Sequence, residues 1–546
     1  MNRKLTLWSS VFAALCGILF AVSMVHNRDY FERIAADNIS SYQIRQLLSV
    51  IILFGIGFLF LLCIRDTLSP TLTALLAFPT GICLWVFPGL LLLLLGIPFT
   101  FPATMAVIIG ILALTWWYFH KAGKKRPSDY QIAAFMAQAL PTLLFFLGIA
   151  FWVSSGLLYV FVSYDSYFYF TNYGNTLTIV KNFRDIVGEN SFTLTNISQF
   201  LPLLNSYTAF WGLDQCFQMQ AFLTVNIGAC FFYGLFQYAM GKEKENHKKA
   251  AAFAALMTCF LASSTSFLIA STWILANMYC MAYMFFAVLL LERFCQLCKR
   301  EGCILNALFF TALTMLRKDG IIFVCFLLVY FALKSGWSRK TLFFIFLPSI
   351  ISELWWLFYV RIVLKATVEQ AAFTSIANNA NVAFVIAAIS ACCLYLFLLH
   401  PLLEKRLPFS ETWLLYGGMM LLLLLLTIRD WNQVVDNIDM TIRNMFLYPA
   451  SWGISGLFFG LLLTLTLLRR PFWDEDTFLW AGYVLLNFIS YCAVGKHLWV
   501  NWDDSYNRIV LQIIPLFLFM SGKKLSDLLR SDTPDHSCGL WKAGEQ

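Results

Sequence analysis

The chain has 546 residues, of which 60% are hydrophobic and only 12% charged, with a net charge of +8; ordinary soluble domains are about a quarter charged. A mean hydropathy of +0.72, with apolar runs of about 15 to 25 residues from end to end, excludes a water-soluble globular protein. The runs are too long and too weakly alternating for a strand barrel. The Lys and Arg residues fall in short clusters between apolar runs, as membrane topology demands and nucleic-acid binding does not.

The pattern predicts an all-α, polytopic transmembrane protein of about 16 spans, which would use roughly 320 positions and leave no room for a separate soluble domain. In chain order the spans fall at 8–25, 46–64, 70–96, 103–120, 140–162, 219–241, 249–268, 271–292, 303–316, 319–334, 341–362, 382–400, 411–428, 446–468, 477–495 and 507–522. Arg3 and Lys4 precede the first run without a clear small-residue cleavage pattern after it, so that run reads as an anchor. Both termini then face the cytoplasm. This layout puts 25 of the 38 basic residues on the cytoplasmic side and 13 outside, as positive charge near short loops requires. Merging 303–334 into one helix would reverse that balance downstream, so Leu316 to Gly320 is expected to turn at the outer surface.

Most of the 15 cysteines lie inside apolar segments, where a thiol behaves as a small hydrophobe. No disulfide framework is implied. Cys295, Cys298 and Cys303 sit beside Lys299 and Arg300 and lack further ligands for a metal.

The cytoplasmic connections are short and basic, whereas the outer segments 163–218, 363–381, 429–445 and 496–506 are longer or richer in polar side chains. A site should therefore face outward. The first outer loop opens Tyr164-Asp165-Ser166-Tyr167, placing a carboxylate within a few positions of a span, where it is costly to leave unpaired. After it, Ile179, Val180, Phe183, Ile186 and Val187, then Phe200, Leu203, Leu204, Tyr207, Phe210 and Trp211, recur at helical spacing. Two amphipathic helices, over 175–190 and 196–211, are expected to lie in the membrane interface.

An acid heading a large outer loop with interfacial helices, here Tyr164-Asp165-Ser166, resembles the GT-C superfamily of integral membrane glycosyltransferases, which take sugars from polyprenyl-phosphate carriers. Leu313-Thr314-Met315-Leu316-Arg317-Lys318-Asp319-Gly320 is similar to the charged-pair-then-Gly hairpin of these enzymes. Asp504-Ser505-Tyr506-Asn507-Arg508, ahead of Pro515, is similar to their step into a final Pro-containing helix. The resemblance implies a GT-C-like catalytic module over 131–522, an added N-terminal transmembrane bundle over 1–130 and a cytoplasmic tail over 523–546. It also implies a polyprenyl-phosphate-linked sugar donor and a glycan, lipid or wall-polymer acceptor, at the outward face of a bacterial cytoplasmic membrane. Many relatives carry a second acid where this chain has Ser166, which leaves a divalent metal cofactor an open question.

Sugar transfer needs a base for the acceptor hydroxyl, charge to stabilise the leaving phosphate, and exclusion of water. Asp165 is the expected general base, because partial desolvation would raise its pKa toward a useful range. Arg317, Lys318, Lys496 and Arg508 are the expected phosphate ligands, although each could equally be a snorkelling residue at a helix end. Asp319, Asp503 and Asp504 are expected to orient those cations or bind substrate hydroxyls, and Tyr164 and Tyr167 to stack on a sugar ring. The run Arg429 to Asp439 is polar enough to help bind an acceptor. Rival readings are a transporter or flippase of lipid-linked saccharides, which would carry ionisable residues such as Glu353 within spans, and a surface-polysaccharide polymerase or ligase.

Overall fold

In the computed structural model, the described residues are 39–64, 68–121, 170–186, 194, 197–213, 217–242, 247–272, 276–294, 299–317, 319–364, 379–406, 411–448, 451–452, 454–467, 474–500 and 505–528. Among them the secondary structure is entirely helical. Eight helices are long and apolar enough to cross a membrane, and two shorter apolar helices cover Leu48–Ile64 and Gly320–Lys334. Of the expected spans, 8–25 and 140–162 lie outside the described residues, as do Tyr164, Asp165, Tyr167, Lys318, Asp503 and Asp504.

Helix α1 (Ile39–Ile64) and α2 (Pro70–Leu94) form a tight hairpin. Its closeness depends on two glycines. A Cβ on Gly57 would fall 1.9 Å from the Ala77 carbonyl oxygen, and one on Gly81 would fall 1.8 Å from that of Leu53. Backbones can pack this closely only where a side chain is missing, and such contacts substitute for the hydrophobic drive that lipid does not supply between helices. Helix α3 (Phe101–Lys121) follows after a short turn in which Gly96 adopts φ +69°.

The segment after residue 170 departs from the expected interfacial pair. Helix α4 spans only Tyr173–Val180 and ends at Lys181 in the left-handed region, φ 63°. Helix α5 (Phe200–Phe210) forms, but Phe200 through Thr208 are all buried, Asn205, Ser206 and Thr208 included. It is a core helix: Trp85 Nε1 donates to the Leu203 carbonyl at 3.1 Å, and the Tyr207 hydroxyl donates to that of Ser49 at 2.6 Å. The apolar stripe was real, but α4 closes over the polar face as well, with Gly174 packed against Asn205 and Ser206. These bonds also tie the N-terminal hairpin into the later helices, as does Asn226 Nδ2 to the Leu75 carbonyl at 2.6 Å.

Next come α6 (Phe217–Lys242), α7 (His247–Ser263), α8 (Thr265–Thr272) and α9 (Ala276–Phe294). The run expected as one span at 249–268 is broken at Ser264. Helices α10 (Arg300–Leu316) and α11 (Gly320–Lys334) form the separate pair expected from the charge balance, with Phe310 and Phe331 in ring contact at 5.2 Å. Helix α12 (Arg339–Phe358) continues through a π turn to Val363, and α13 (Asn379–Leu394) through another into α14 (His400–Arg406). Then follow α15 (Glu411–Arg429), α16 (Trp431–Ile442), α17 (Ile454–Leu467), α18 (Glu475–Thr477), α19 (Tyr483–Ala493), α20 (Ser505–Val510) and α21 (Ile514–Leu528).

Burial sorts these helices into layers. Nearly all of α9 and α21 is enclosed by protein, whereas α3, α13 and α15 bury little. Their outward side chains are apolar, with Leu114 66% and Ile428 74% exposed. Faces of this size would aggregate in water and are at ease against acyl chains. The protein is an integral membrane protein by the length, composition and outward apolarity of its helices.

Candidate functional site

Polar groups are expensive inside such a bundle, so where they gather deserves a physical account. They gather at two ends. Helices α9, α11 and α21 run in the same direction, because their late residues Glu292, Lys334 and Lys523 all converge on Asp476 or on each other. Their early residues, Asn277 and the stretch Arg508 to Gln512 just ahead of α21, mark the opposite end.

At that opposite end the chain leaves α10 at Arg317, in an extended conformation with φ −144° and ψ 147°. Gly320 opens α11, where a Cβ would fall 2.1 Å from the Leu313 carbonyl oxygen. The close crossing folds the turn tightly enough for Arg317 to reach Asp319. Arg317 Nε donates to Asp319 Oδ1 at 2.7 Å and Nη2 to Oδ2 at 2.9 Å, a two-pronged fork. Burial works against the guanidinium charge, but the adjacent carboxylate more than restores it and raises the Arg317 pKa above its ordinary value. The fork uses two of five N–H donors, and the Arg317 side chain keeps 24% of its surface exposed. Asp319 serves as partner to Arg317 and makes no side-chain cap on α11.

Glu353, in the last third of α12, comes within electrostatic reach of Asp319. It is 4% exposed, and its Oε1 has no hydrogen-bond partner. Reasoning from sequence noted Glu353 only as an ionisable residue inside a span; its neighbourhood with Asp319 joins positions far apart in the chain. The segment that follows Asp165 in sequence docks on the same helix, with the Phe183 ring 5.6 Å from Trp356 and 5.8 Å from Tyr359.

Arg317 connects to the Arg508-bearing stretch through Tyr483. Tyr483 is electrostatically coupled to Arg317, and its hydroxyl lies 3.0 Å from Gln512 Oε1 and 3.3 Å from the Ile509 carbonyl. Gln512 Nε2 in turn donates to Asn277 Oδ1 at 2.9 Å. Tyr483, Gln512 and Asn277 were not anticipated, and the only signal for them was a few polar side chains within apolar runs. Arg508 Nη2 donates to Ser505 Oγ at 3.2 Å. Lys496 is exposed, its ammonium 5.8 Å from the Tyr491 ring, and Tyr491 meets Tyr506 at 5.3 Å. Arg317, Lys496 and Arg508 thus share one end of the bundle.

Against protein-family models, curated proteins and solved structures, the chain matches none.

The stretch 429–439, expected to help hold an acceptor, is largely occupied structurally. Arg429 Nη2 donates to the Cys492 carbonyl at 2.9 Å, and Asp430 caps α16 by accepting from the Gln433 N–H at 3.1 Å. Gln433 and Asn437, both buried, donate to the Lys496 carbonyl at 3.2 and 3.0 Å. These bonds hold the 492–498 turn in place and so position Lys496. Among the described residues no group of three or more His, Cys, Asp or Glu side chains is placed to hold a metal ion.

Proposed function

We propose that the protein is a membrane glycosyltransferase that moves a sugar from a polyprenyl-phosphate carrier to an acceptor at the outer face of the membrane. The observation that carries this reading is Arg317: a guanidinium fixed by Asp319, with donors to spare, while the buried Glu353, one of whose carboxylate oxygens has no hydrogen-bond partner, lies within electrostatic reach of that same Asp319. A preset cation next to a carboxylate at the end of a membrane bundle suits a reaction in which phosphate leaves and a proton is taken up.

The chemistry assigned to the chain is simple. The acceptor hydroxyl oxygen bonds to the anomeric carbon while the bond from that carbon to the phosphate oxygen breaks. The electron pair leaves with the polyprenyl phosphate, and the hydroxyl proton goes to a carboxylate. Asp165 is the proposed base. Arg317, with Arg508 and Lys496 at the same end, takes the charge of the leaving phosphate, and the apolar walls of α12 and α19 keep water from competing for the donor.

Transfer from a polyprenyl-phosphate sugar in liposomes, paired with a donor-binding measurement, tests the assignment. Asp165→Asn should lower the rate by roughly 10² to 10⁴-fold with donor binding intact, the usual weight of a proton acceptor. Arg317→Ala should weaken donor binding. Unchanged transfer in Asp165→Asn, with loss in Glu353→Gln, would move the base role to Glu353; unchanged transfer in both removes the reading.

A flippase or transporter of lipid-linked saccharides is the second reading, favoured by the buried charges Glu292, Lys334, Asp476 and Lys523 at the other end of the bundle. It predicts movement of the donor across liposomes with no transfer.

A further inference from the structure

A cavity of about 700 Å³ opens at the end of the bundle where Lys334 meets Asp476, the full length of α11 away from Arg317. Its walls carry charge of both signs. Arg339 and Lys340 come from the start of α12, and Glu411 and Glu475 from the start of α15 and from α18. Among the described residues Arg339 and Lys340 have no ion-pair or hydrogen-bond partner. Glu411 holds His400 Nδ1 at 2.8 Å, so that wall is positioned before any ligand arrives.

The cavity also has an apolar margin. Phe397 belongs to its lining, is 41% exposed, and touches Phe343 at 5.5 Å. Beside it Phe344 is 71% and Leu398 55% exposed, on helices of membrane-spanning length. A polar, mixed-charge chamber that meets a lipid-facing apolar wall fits an amphiphile with a compact zwitterionic head. A phosphate alone would satisfy the two cations and leave Glu411 Oε1, which has no hydrogen-bond partner, beside a further negative charge. An ammonium on the same head group resolves this, because it can donate hydrogen bonds to a carboxylate.

We infer that this cavity binds a phosphate ester carrying a primary ammonium, delivered as a phospholipid head group, with phosphate at Arg339 and Lys340, ammonium at Glu411 and Glu475, and acyl chains along Phe397 and Phe344. Basic pockets between membrane helices are established sites for lipid head groups. Here the carboxylates add selectivity against purely anionic lipids and against choline lipids, whose quaternary nitrogen has no N–H to give.

The test is native mass spectrometry of the full chain with phosphatidylethanolamine, phosphatidylglycerol and phosphatidylcholine at equal mole fraction, and with soluble phosphoethanolamine as competitor. Phosphatidylethanolamine should be retained about tenfold more than either other lipid, the weight of one charge-assisted hydrogen bond. The Arg339→Gln, Lys340→Gln double variant should lose that lipid, and Glu475→Gln should lose the preference over phosphatidylglycerol while lipid is still bound. Glu411→Gln is a companion whose melting temperature reports whether the His400 contact is needed for folding. Equal retention of all three lipids, or retention unchanged in the double variant, overturns the inference. Displacement by phosphoethanolamine as effective as by the whole lipid overturns its lipid part. None of these readouts involves sugar transfer, so they fail independently of the proposed activity.

Discussion

Lys523 and Glu292 join the ends of two parallel core helices: the Lys523 ammonium lies 2.9 Å from Glu292 Oε2, with side chains only 7% and 4% exposed. The same nitrogen is 3.2 Å from Asp476 Oδ2, whose other oxygen is 2.9 Å from Lys334 Nζ and accepts from the Tyr330 hydroxyl at 3.2 Å. Lys524 pairs with Asp474 at 2.7 Å. Charges withdrawn from water at this depth are tolerable only because each has an opposite neighbour.

Removing Lys523 should therefore be costly. Lys523→Met leaves Glu292 without its closest cation, and breaking a buried pair on one side costs about 3–5 kcal/mol. Thermal or denaturant unfolding in detergent measures it. Adding Glu292→Leu should recover part of the loss, since replacing both partners by apolar groups is often neutral. A single variant as stable as the wild type would show that the pair contributes nothing.

The same network sets a pH dependence. Burial pushes the Asp476 carboxyl up, but Lys334 and Lys523 outweigh it and hold the group well below the usual carboxylate range. A depressed native pKa gives stability that is complete above the unfolded value, about 3.9 for Asp. That contribution declines as pH falls below this value toward the native one. Unfolding midpoints should be flat on this account above about pH 5 and fall on acidification. Asp476→Asn should flatten the acid limb.

Gly57 and Gly81 allow α1 and α2 to cross at backbone contact. Gly81→Leu should force the hairpin apart and cost at least the roughly 1–3 kcal/mol of an overpacked core. Because Tyr207 bonds Ser49 on α1, protease sensitivity should rise around 200–210 as well. Unchanged resistance there would separate the hairpin from α5.

Arg317→Lys tests geometry against charge. A lysine keeps the positive charge but cannot form the two-pronged contact with Asp319, so the cation should lose its fixed position. Under the proposed function, donor binding should fall nearly as far as in Arg317→Ala. Retention of full affinity would mean that charge alone suffices.

Some of this was legible in the residues. The apolar runs predicted α2, α6, α9, α12 and α13 within a few positions, because a membrane span has a length set by bilayer thickness and a composition set by transfer free energy. The helix break at Arg317 followed from the balance of basic residues, a global count that needs no contacts. The stretch Leu316 to Gly320 turns where that count put the break, and the structure adds that Gly320 has no side chain to oppose the close crossing there.

What the tertiary structure decided is which face each helix buries. The periodicity of 196–211 reported an apolar stripe truthfully, but α4 covers the other face too, and a helix enclosed on all sides cannot be told from an interfacial one by its stripe. Arg429, Gln433 and Asn437 read as polar residues that could help bind an acceptor, yet they donate to the carbonyls of the 492–498 turn. Pairings such as Lys523 with Glu292, 231 positions away, or Gln512 with Asn277, 235 away, have no local signature at all. Sequence alone determines the cost of placing a charge in an apolar run; only the packed bundle supplies the partner that makes that cost bearable.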